Sequence, residues 1–213
     1  MGYSYHYNSI GGAIINNTIA SNSYSIRFNF ESAGNIMYAL SKATNIRKNN
    51  DGEYAILGIP YAQYVKGEFD FSKNIRIDHR NSFAFHIGMG IAVPYGNAKT
   101  IPFEKQYFSG GANSVRGWTV RDLGPGSFVR DENTNLLDQS GDIKLDASIE
   151  YRSKLFWKFQ GAIFVDAGNI WTIRDYDNQP GGVFKFDKFY KQIAVAYGLG
   201  LRLDLDFFIL RFD

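Results

Sequence analysis

The sequence contains no cysteine and no long apolar run, and its charge is nearly balanced. The absence of cysteine excludes a disulfide framework and a thiolate metal site. No apolar segment approaches the roughly 18 residues that a membrane-spanning helix needs, so strands would have to make any membrane crossing. The 23 basic and 21 acidic residues give a net charge of +2. Composition therefore predicts no nucleic-acid partner.

Aromatic residues, in contrast, are abundant. They make up 16% of the 213 residues, with 14 tyrosines and 18 phenylalanines. Outer-membrane barrels carry belts of aromatic side chains at both membrane interfaces, and this content suits such a protein. Soluble β-sandwiches can also be rich in tyrosine, so composition leaves both classes open.

The clearest strand in the sequence runs from residue 83 to residue 93. Every second residue in it is large and apolar: Phe83, Phe85, Ile87, Met89, Ile91 and Val93. The residues between them are small or polar. A helix would not keep this alternation, which predicts a strand with one apolar face.

The same period of two recurs along the chain and predicts about eight strands. They lie near residues 2–8, 21–32, 55–78, 80–95, 142–156, 158–171, 190–204 and 207–213. The third is the longest and is expected to be bent or to extend beyond a membrane. The apolar phase slips by one residue near the end of the chain, which predicts a tight turn at 204–207 because such a slip reverses a strand's faces. A short helix is predicted between Ser32 and Asn45.

The two faces of these predicted strands differ in polarity. Opposite the apolar residues lie Arg27, Glu31, Asp70, Arg76, Lys144, Asp146, Glu150, Arg152 and Asp166. Short turns near His79, Lys158 and Asp206 alternate with long loops at 33–54, 94–141 and 172–189. Together these features predict an all-β fold, an antiparallel transmembrane β-barrel with a polar lumen. A soluble sandwich is the alternative.

The longest predicted loop contains Gly110-Gly111-Ala112-Asn113-Ser114-Val115-Arg116-Gly117-Trp118. With the preceding 102–109, it resembles the sixth extracellular loop of the BamA/TamA family of outer-membrane barrel proteins. Two further motifs follow in the family's order. Phe164-Val165-Asp166-Ala167-Gly168-Asn169 is similar to its F-x-D-x-G strand, and 198–202 with 210–213 is similar to its penultimate region. The segment 124–127 is similar to Bacteroidetes members of the TamL type.

This resemblance covers the chain from about residue 55 and implies a location in the bacterial outer membrane. It also implies a barrel of sixteen strands, preceded by periplasmic POTRA domains, that assembles, inserts or translocates outer-membrane proteins. The expected partners are outer-membrane lipids, lipopolysaccharide, unfolded client proteins, and periplasmic or lipoprotein partners bound through POTRA domains. Residues 1–213 are expected to form a single partial barrel domain, without POTRA domains, the first strands and the last strand.

The loop is expected to fold into the lumen and to be latched there by Arg116. Glu150 and Asp166 lie at polar positions of neighbouring strands, with Phe164 an apolar exception on that face. A turn centred near Lys158 would pair residues whose numbers sum to about 316, making these two acids direct neighbours. Two adjacent carboxylates need a cation between them, and the planar guanidinium of Arg116 suits two acceptors. The resemblance implies the same arginine–acid contact.

The rest of the motif is expected to shape the loop and its tip. Gly110, Gly111 and Gly117 would let the chain double back without Cβ clashes, with Val115 and Trp118 beside the arginine. The glycines also resemble a phosphate-binding loop, but no Lys-Ser/Thr pair follows them, so no nucleotide cofactor is predicted.

Three other features of the sequence bear on its function. The histidines His6, His79 and His86 lack metal-ligand spacing, and no metal site is predicted. Trp157 and Trp171 lie at strand ends and are expected to be membrane-interface anchors. No nucleophile elbow is present, so no enzymatic activity is predicted. Two alternatives to an outer-membrane assembly protein stay open. One is a two-partner secretion transporter, which shares the arginine tip, and the other is a small closed outer-membrane pore or enzyme.

Overall fold

The structure is a computed structural model that describes residues 1–9, 22–50, 52–129, 138–205 and 207–213. Eight strands form one antiparallel sheet in which sequence neighbours pair. They are β1 (Gly2–Ser9), β2 (Ser23–Ala33), β5 (Tyr64–Arg76), β6 (Asn81–Pro94), β7 (Ile143–Lys154), β8 (Phe159–Trp171), β9 (Ala194–Asp204) and β10 (Ile209–Phe212). The all-β, antiparallel prediction is confirmed. Strands β1 and β10 are the edges of the sheet.

Alternation of side chains explains why these segments are strands. On β6 the large apolar residues Ile87, Met89 and Ile91 are exposed on one face, here called the outer face. Gly90 and Ala92 point to the opposite, inner face and are buried there. The inner face carries the charged residues and is covered in part by a long loop.

The predicted third strand, 55–78, is wrong as a single element. Ala55–Ile56 (β3) and Ile59–Pro60 (β4) form a separate two-stranded hairpin, and β5 begins only at Tyr64. Between β3 and β4, Leu57 has a φ of 51° and Gly58 a φ of 80°. Two successive positive φ values reverse the chain. A continuous apolar pattern conceals such a reversal because it records only side-chain polarity.

The predicted helix is present as α1 (Asn35–Ala43), shorter at both ends than predicted. It begins after Gly34, which has a φ of 80°. Its apolar residues Met37 and Leu40 are exposed. The residues whose spacing predicted the helix therefore do not pack against the sheet. No helix in the described parts of the chain is both long enough and apolar enough to cross a membrane.

The turn predicted at 204–207 lies between β9 and β10, with residue 206 outside the described residues. Leu210 pairs with Leu203 and Phe212 with Leu201, so the outward parity changes from odd to even across the turn. This agrees with the phase slip in the sequence.

The described part of the long loop between β6 and β7 lies against the inner face. Tyr107 forms a bridge with Gly141, which precedes β7, and its hydroxyl donates to the Gly67 carbonyl 3.3 Å away. A Cβ at Gly90 would lie 2.5 Å from the Tyr107 ring, so that strand position must be glycine for the loop to approach. The described part of this loop carries the arginine motif onto β7 and β8.

Candidate functional site

The site is the contact between Arg116, at the tip of the long loop, and two carboxylates on the inner face of the sheet. Arg116 Nε lies 2.6 Å and Nη2 2.8 Å from the two oxygens of Asp166 on β8. Its Nη1 lies 2.7 Å from Oε2 of Glu150 on β7. The Arg116 backbone N–H also donates to Asp166 Oδ2, at 3.2 Å. One guanidinium therefore holds two strands, with paired bonds to Asp166.

The predicted direct pairing of Glu150 with Asp166 is wrong by two positions. In the sheet Glu150 pairs with Phe164, and Ser148 pairs with Asp166. The paired residue numbers sum to 314 because the connection is centred at Trp157, which has a φ of 47°, and not at Lys158. A shift of two keeps every side chain on its face. The two acids are therefore diagonal neighbours that still share the inner face.

Phe164, the apolar exception on this face, is part of the site. The Arg116 guanidinium carbon lies 3.4 Å from the centre of the Phe164 ring. A cation over an aromatic face is attracted by the ring's electrons, most strongly where water is excluded. The sequence showed this side chain only as a break in polarity, and the register explains its position between the two acids.

Sequence reasoning missed the arginines that hold the second oxygen of Glu150. Arg152 Nε lies 2.6 Å from Glu150 Oε1, and Arg202 on β9 forms an ion pair with the same oxygen. Asp213 lies 3.4 Å from Arg116 and 2.6 Å from Arg211. The even parity of Arg152 and Arg202 on their strands was the available signal, since it places both on the inner face.

The charges of this network are largely removed from water. The side chain of Arg116 is 6% exposed, that of Glu150 6% and that of Asp166 1%. Burial by itself lowers the pKa of Arg116, but hydrogen bonds to Asp166 and Glu150 outweigh it and raise the pKa. The guanidinium therefore stays charged. A buried charge with complete partners is stable, whereas one left without a partner is costly.

The glycines around the tip have two different roles. Gly110 and Gly111 have φ values of 98° and 87°, a conformation that favours glycine. Gly117 has no positive φ; a Cβ there would lie 2.9 Å from the Cβ of Ala196 on β9. It lies in a turn in which the Trp118 N–H donates to the Val115 carbonyl, and its missing Cβ lets this turn approach the sheet.

The apolar residues of the motif pack beside the arginine. Val115 is completely buried and forms a small cluster with Leu123 and Ala196, against which Trp118 packs. The Gly111 N–H donates to the Trp118 carbonyl at 2.8 Å, which closes the tip. The structure thus brings all the predicted motif residues to one place, and their function remains a prediction.

Two of the other predicted features can be placed. His86 Nε2 lies 3.3 Å from Asp146 Oδ2. Within the described residues, no group of three or more histidine, cysteine, aspartate or glutamate side chains is arranged to hold a metal ion. Trp157 is 76% exposed at its strand end, but Trp171 is 0% exposed. The prediction of Trp171 as an interface anchor is wrong, because Phe184 and Phe189 cover its ring.

Comparison with known proteins gives a consistent family. Residues 16–213 match the Omp85 superfamily domain. Over 99 residues the chain is 35% identical to the outer membrane protein assembly factor BamA of Neisseria meningitidis serogroup B. That match covers 42% of this chain and 12% of the relative. The chain thus spans a small part of the curated relative's length.

Among solved structures, the chain is similar to BamA from Haemophilus ducreyi lacking POTRA domains 1–3. The TM-score is 0.54 and the identity 18%, and the match covers 99% of this chain and 49% of that chain. At this identity the likeness shows the fold alone. The eight-stranded sheet therefore shares its fold with about half of that chain.

Proposed function

Because the chain belongs to the Omp85 superfamily and is similar to an outer membrane protein assembly factor, we propose that it is part of a bacterial outer-membrane barrel that assembles or inserts outer-membrane proteins. In this proposal the Val115–Trp118 tip is a structural latch. It holds the long loop on the luminal face of the barrel through Glu150 and Asp166. The clients would be unfolded outer-membrane proteins, by analogy with the assembly factor of Neisseria meningitidis.

One observation carries the latch proposal: the guanidinium of Arg116 contacts carboxylates on two adjacent strands while almost fully buried. A loop of this length would otherwise keep many conformations, and ordering it has an entropic cost. The ion pairs, the stacked Phe164 ring and the buried Val115 together offset that cost. These contacts hold the tip of the loop at one position in the lumen.

The bonding of the acids favours a structural role over a chemical one. Asp166 accepts two bonds from the Arg116 side chain and one from its backbone. Glu150 contacts Arg116 through one oxygen, and Arg152 and Arg202 through the other. A carboxylate that acts as a general base needs an oxygen available to accept a proton. Here each carboxylate oxygen of Asp166 and Glu150 already contacts an arginine side chain.

The latch is tested in the full-length protein with Arg116→Ala, Arg116→Lys and the control Arg27→Ala. Arg27 is an exposed arginine on the same face that makes none of the latch contacts. Removing one partner of a buried ion pair typically costs about 3–5 kcal/mol, so Arg116→Ala should lower the temperature at which the folded barrel unfolds on a gel. Arg116→Lys keeps the charge but loses the paired hydrogen bonds. Its unfolding temperature should therefore lie between those of the unaltered protein and Arg116→Ala.

The same variants are then assayed for insertion of an unfolded outer-membrane protein into vesicles. We expect Arg116→Ala to reduce insertion and Arg27→Ala to match the unaltered protein. Normal unfolding with Arg116→Ala would contradict the latch. If Arg116→Ala lowers the unfolding temperature but leaves insertion normal, the latch stabilises the barrel and is not needed for assembly. Absence of insertion by the unaltered protein would overturn the assembly function.

A further inference from the structure

The outer face of the sheet carries an apolar groove of about 360 Å³. Its floor crosses the middle of the sheet, from Phe28 on β2 through Phe69 on β5 and Ile91 on β6 to Ile143 on β7. The groove exists because Gly67 has no side chain: a Cβ there would meet nothing within 4 Å. Strands pairing with the edges β1 and β10 would not cover it, since it lies on central strands.

One end of the groove is closed by a cluster of aromatic side chains that folds over the end of β8. Phe184 and Phe189 both line the groove and pack on Trp171 edge to face, with ring centres 5.5 Å and 6.3 Å away. The indole N–H of Trp171 donates to Gln192 Oε1 at 2.8 Å, which ties the cluster to the strand. The closed end is therefore a built feature, at the edge of the sheet where the long loops leave it.

Three lysines stand beside this closed end. Lys185, Lys188 and Lys191 are exposed, and Asp187 is the acid among residues 184–191. The N–H of Lys188 donates to the carbonyl of Lys185, and that of Lys191 to the carbonyl of Lys188. These two hydrogen bonds close successive turns, so the three lysines lie close together in one short segment, here called the lysine row. The segment has a net positive charge, and its residues Phe184 and Phe189 line the apolar groove.

We propose that the groove and the lysine row together bind one phosphorylated membrane lipid. One acyl chain would lie in the groove, and the phosphate would contact Lys188 and Lys191. The volume lies within the usual range of about 300–1,000 Å³ for small-molecule sites. Aromatic residues concentrate at membrane interfaces, where basic side chains attract anionic headgroups. The outer face of central barrel strands meets lipid and not water. The proposed occupant of the groove is therefore a lipid.

The site is tested with the full-length protein in phosphatidylcholine nanodiscs containing diphosphorylated lipid A at increasing mole fraction, with bound lipid counted by native mass spectrometry. Gly67→Leu places a side chain in the groove, where its Cβ would meet no atom within 4 Å, and should weaken binding at least tenfold. Lys188→Gln with Lys191→Gln should weaken it about thirtyfold, as expected for two interfacial lysines, and should remove the preference over dephosphorylated lipid A.

Two matched variants serve as controls. Gly161→Leu changes another outward-facing glycine, near the opposite end of the sheet, where a Cβ makes only ordinary contacts from 3.5 Å. Lys73→Gln removes an exposed outward lysine near that same end. Both should bind lipid as the unaltered protein does. Equal binding of the phosphorylated and dephosphorylated lipids would overturn the proposal, and so would unchanged binding by Gly67→Leu. No client protein is present in this assay, so its result is independent of the assembly function.

Discussion

At the scale of single residues, the site depends on how closely the loop approaches the sheet. Gly117 is adjacent to Arg116, and its Cα faces Ala196 across a gap too small for a Cβ. Arg116 can place its guanidinium between two acids because the backbone beside it lies so close to β9. The arginine supplies the charge, and the glycine supplies the position.

This dependence gives a prediction for Gly117→Ala. The new Cβ would lie 2.9 Å from that of Ala196, and overpacking of this kind typically costs about 1–3 kcal/mol. The free energy of unfolding in urea should fall by that amount. Adding Ala196→Gly removes the clash and should restore most of the loss. Gly67→Ala, whose Cβ meets nothing, is the control; equal loss in both glycine variants would contradict the explanation.

At the scale of structural elements, strands β5 and β6 are joined by a turn that hydrogen bonds to the carboxylate of Asp78 hold closed. Asp78 accepts from the side chain of Asn81 and from the backbone N–H groups of Arg80 and Asn81, at 2.7–2.8 Å. These hydrogen bonds hold the pKa of Asp78 below its ordinary value of 3.8, although the little burial present opposes them. The carboxylate form is therefore favoured in the folded turn.

The sign of the resulting pH dependence follows from the lowered pKa. A carboxyl group with a folded-state pKa below the unfolded value stabilises the fold above about pH 3.8, and loses this contribution as the pH falls through the lowered pKa. The unaltered barrel should thus be more stable than Asp78→Ala at neutral pH, and the difference should shrink below pH 3.8. Urea unfolding in detergent at stepped pH measures it. A constant difference would show that the turn does not depend on ionised Asp78.

At the scale of the whole molecule, the sheet has two unpaired edges. Strands β1 and β10 each pair on one side only among the described residues. Unpaired backbone groups in the hydrocarbon region of a membrane cost several kcal/mol each, which is why membrane sheets close into barrels. We therefore propose that these edges pair with further strands in the assembled protein.

The partial-barrel proposal predicts different behaviour for two polypeptides. Residues 1–213 expressed alone and refolded with vesicles should give no heat-modifiable band on a gel, because the edges remain open. The full-length protein should give one. A stable, heat-modifiable band from residues 1–213 would instead support the small closed barrel.

The sequence determined most of the strands, their two faces and the glycine-arginine motif, because a period of two and a local run of glycines are properties of the chain itself. Parity placed Glu150 and Asp166 on one face, and Arg116 was named as their partner from the chemistry of its guanidinium and from the family resemblance. The same parity could have added Arg152 and Arg202, had each polar position been followed to its neighbours across the sheet.

Only the tertiary structure decided the details that depend on alignment between segments. The period of two does not change when strands shift by two residues, so it could not place Glu150 opposite Phe164. Hydrophobicity likewise did not reveal that Phe184 and Phe189 bury Trp171, since that contact depends on how the loop after β8 folds back over the strand end. Side-chain pattern is local, whereas register and burial are set by turn geometry and by contacts between residues far apart in sequence.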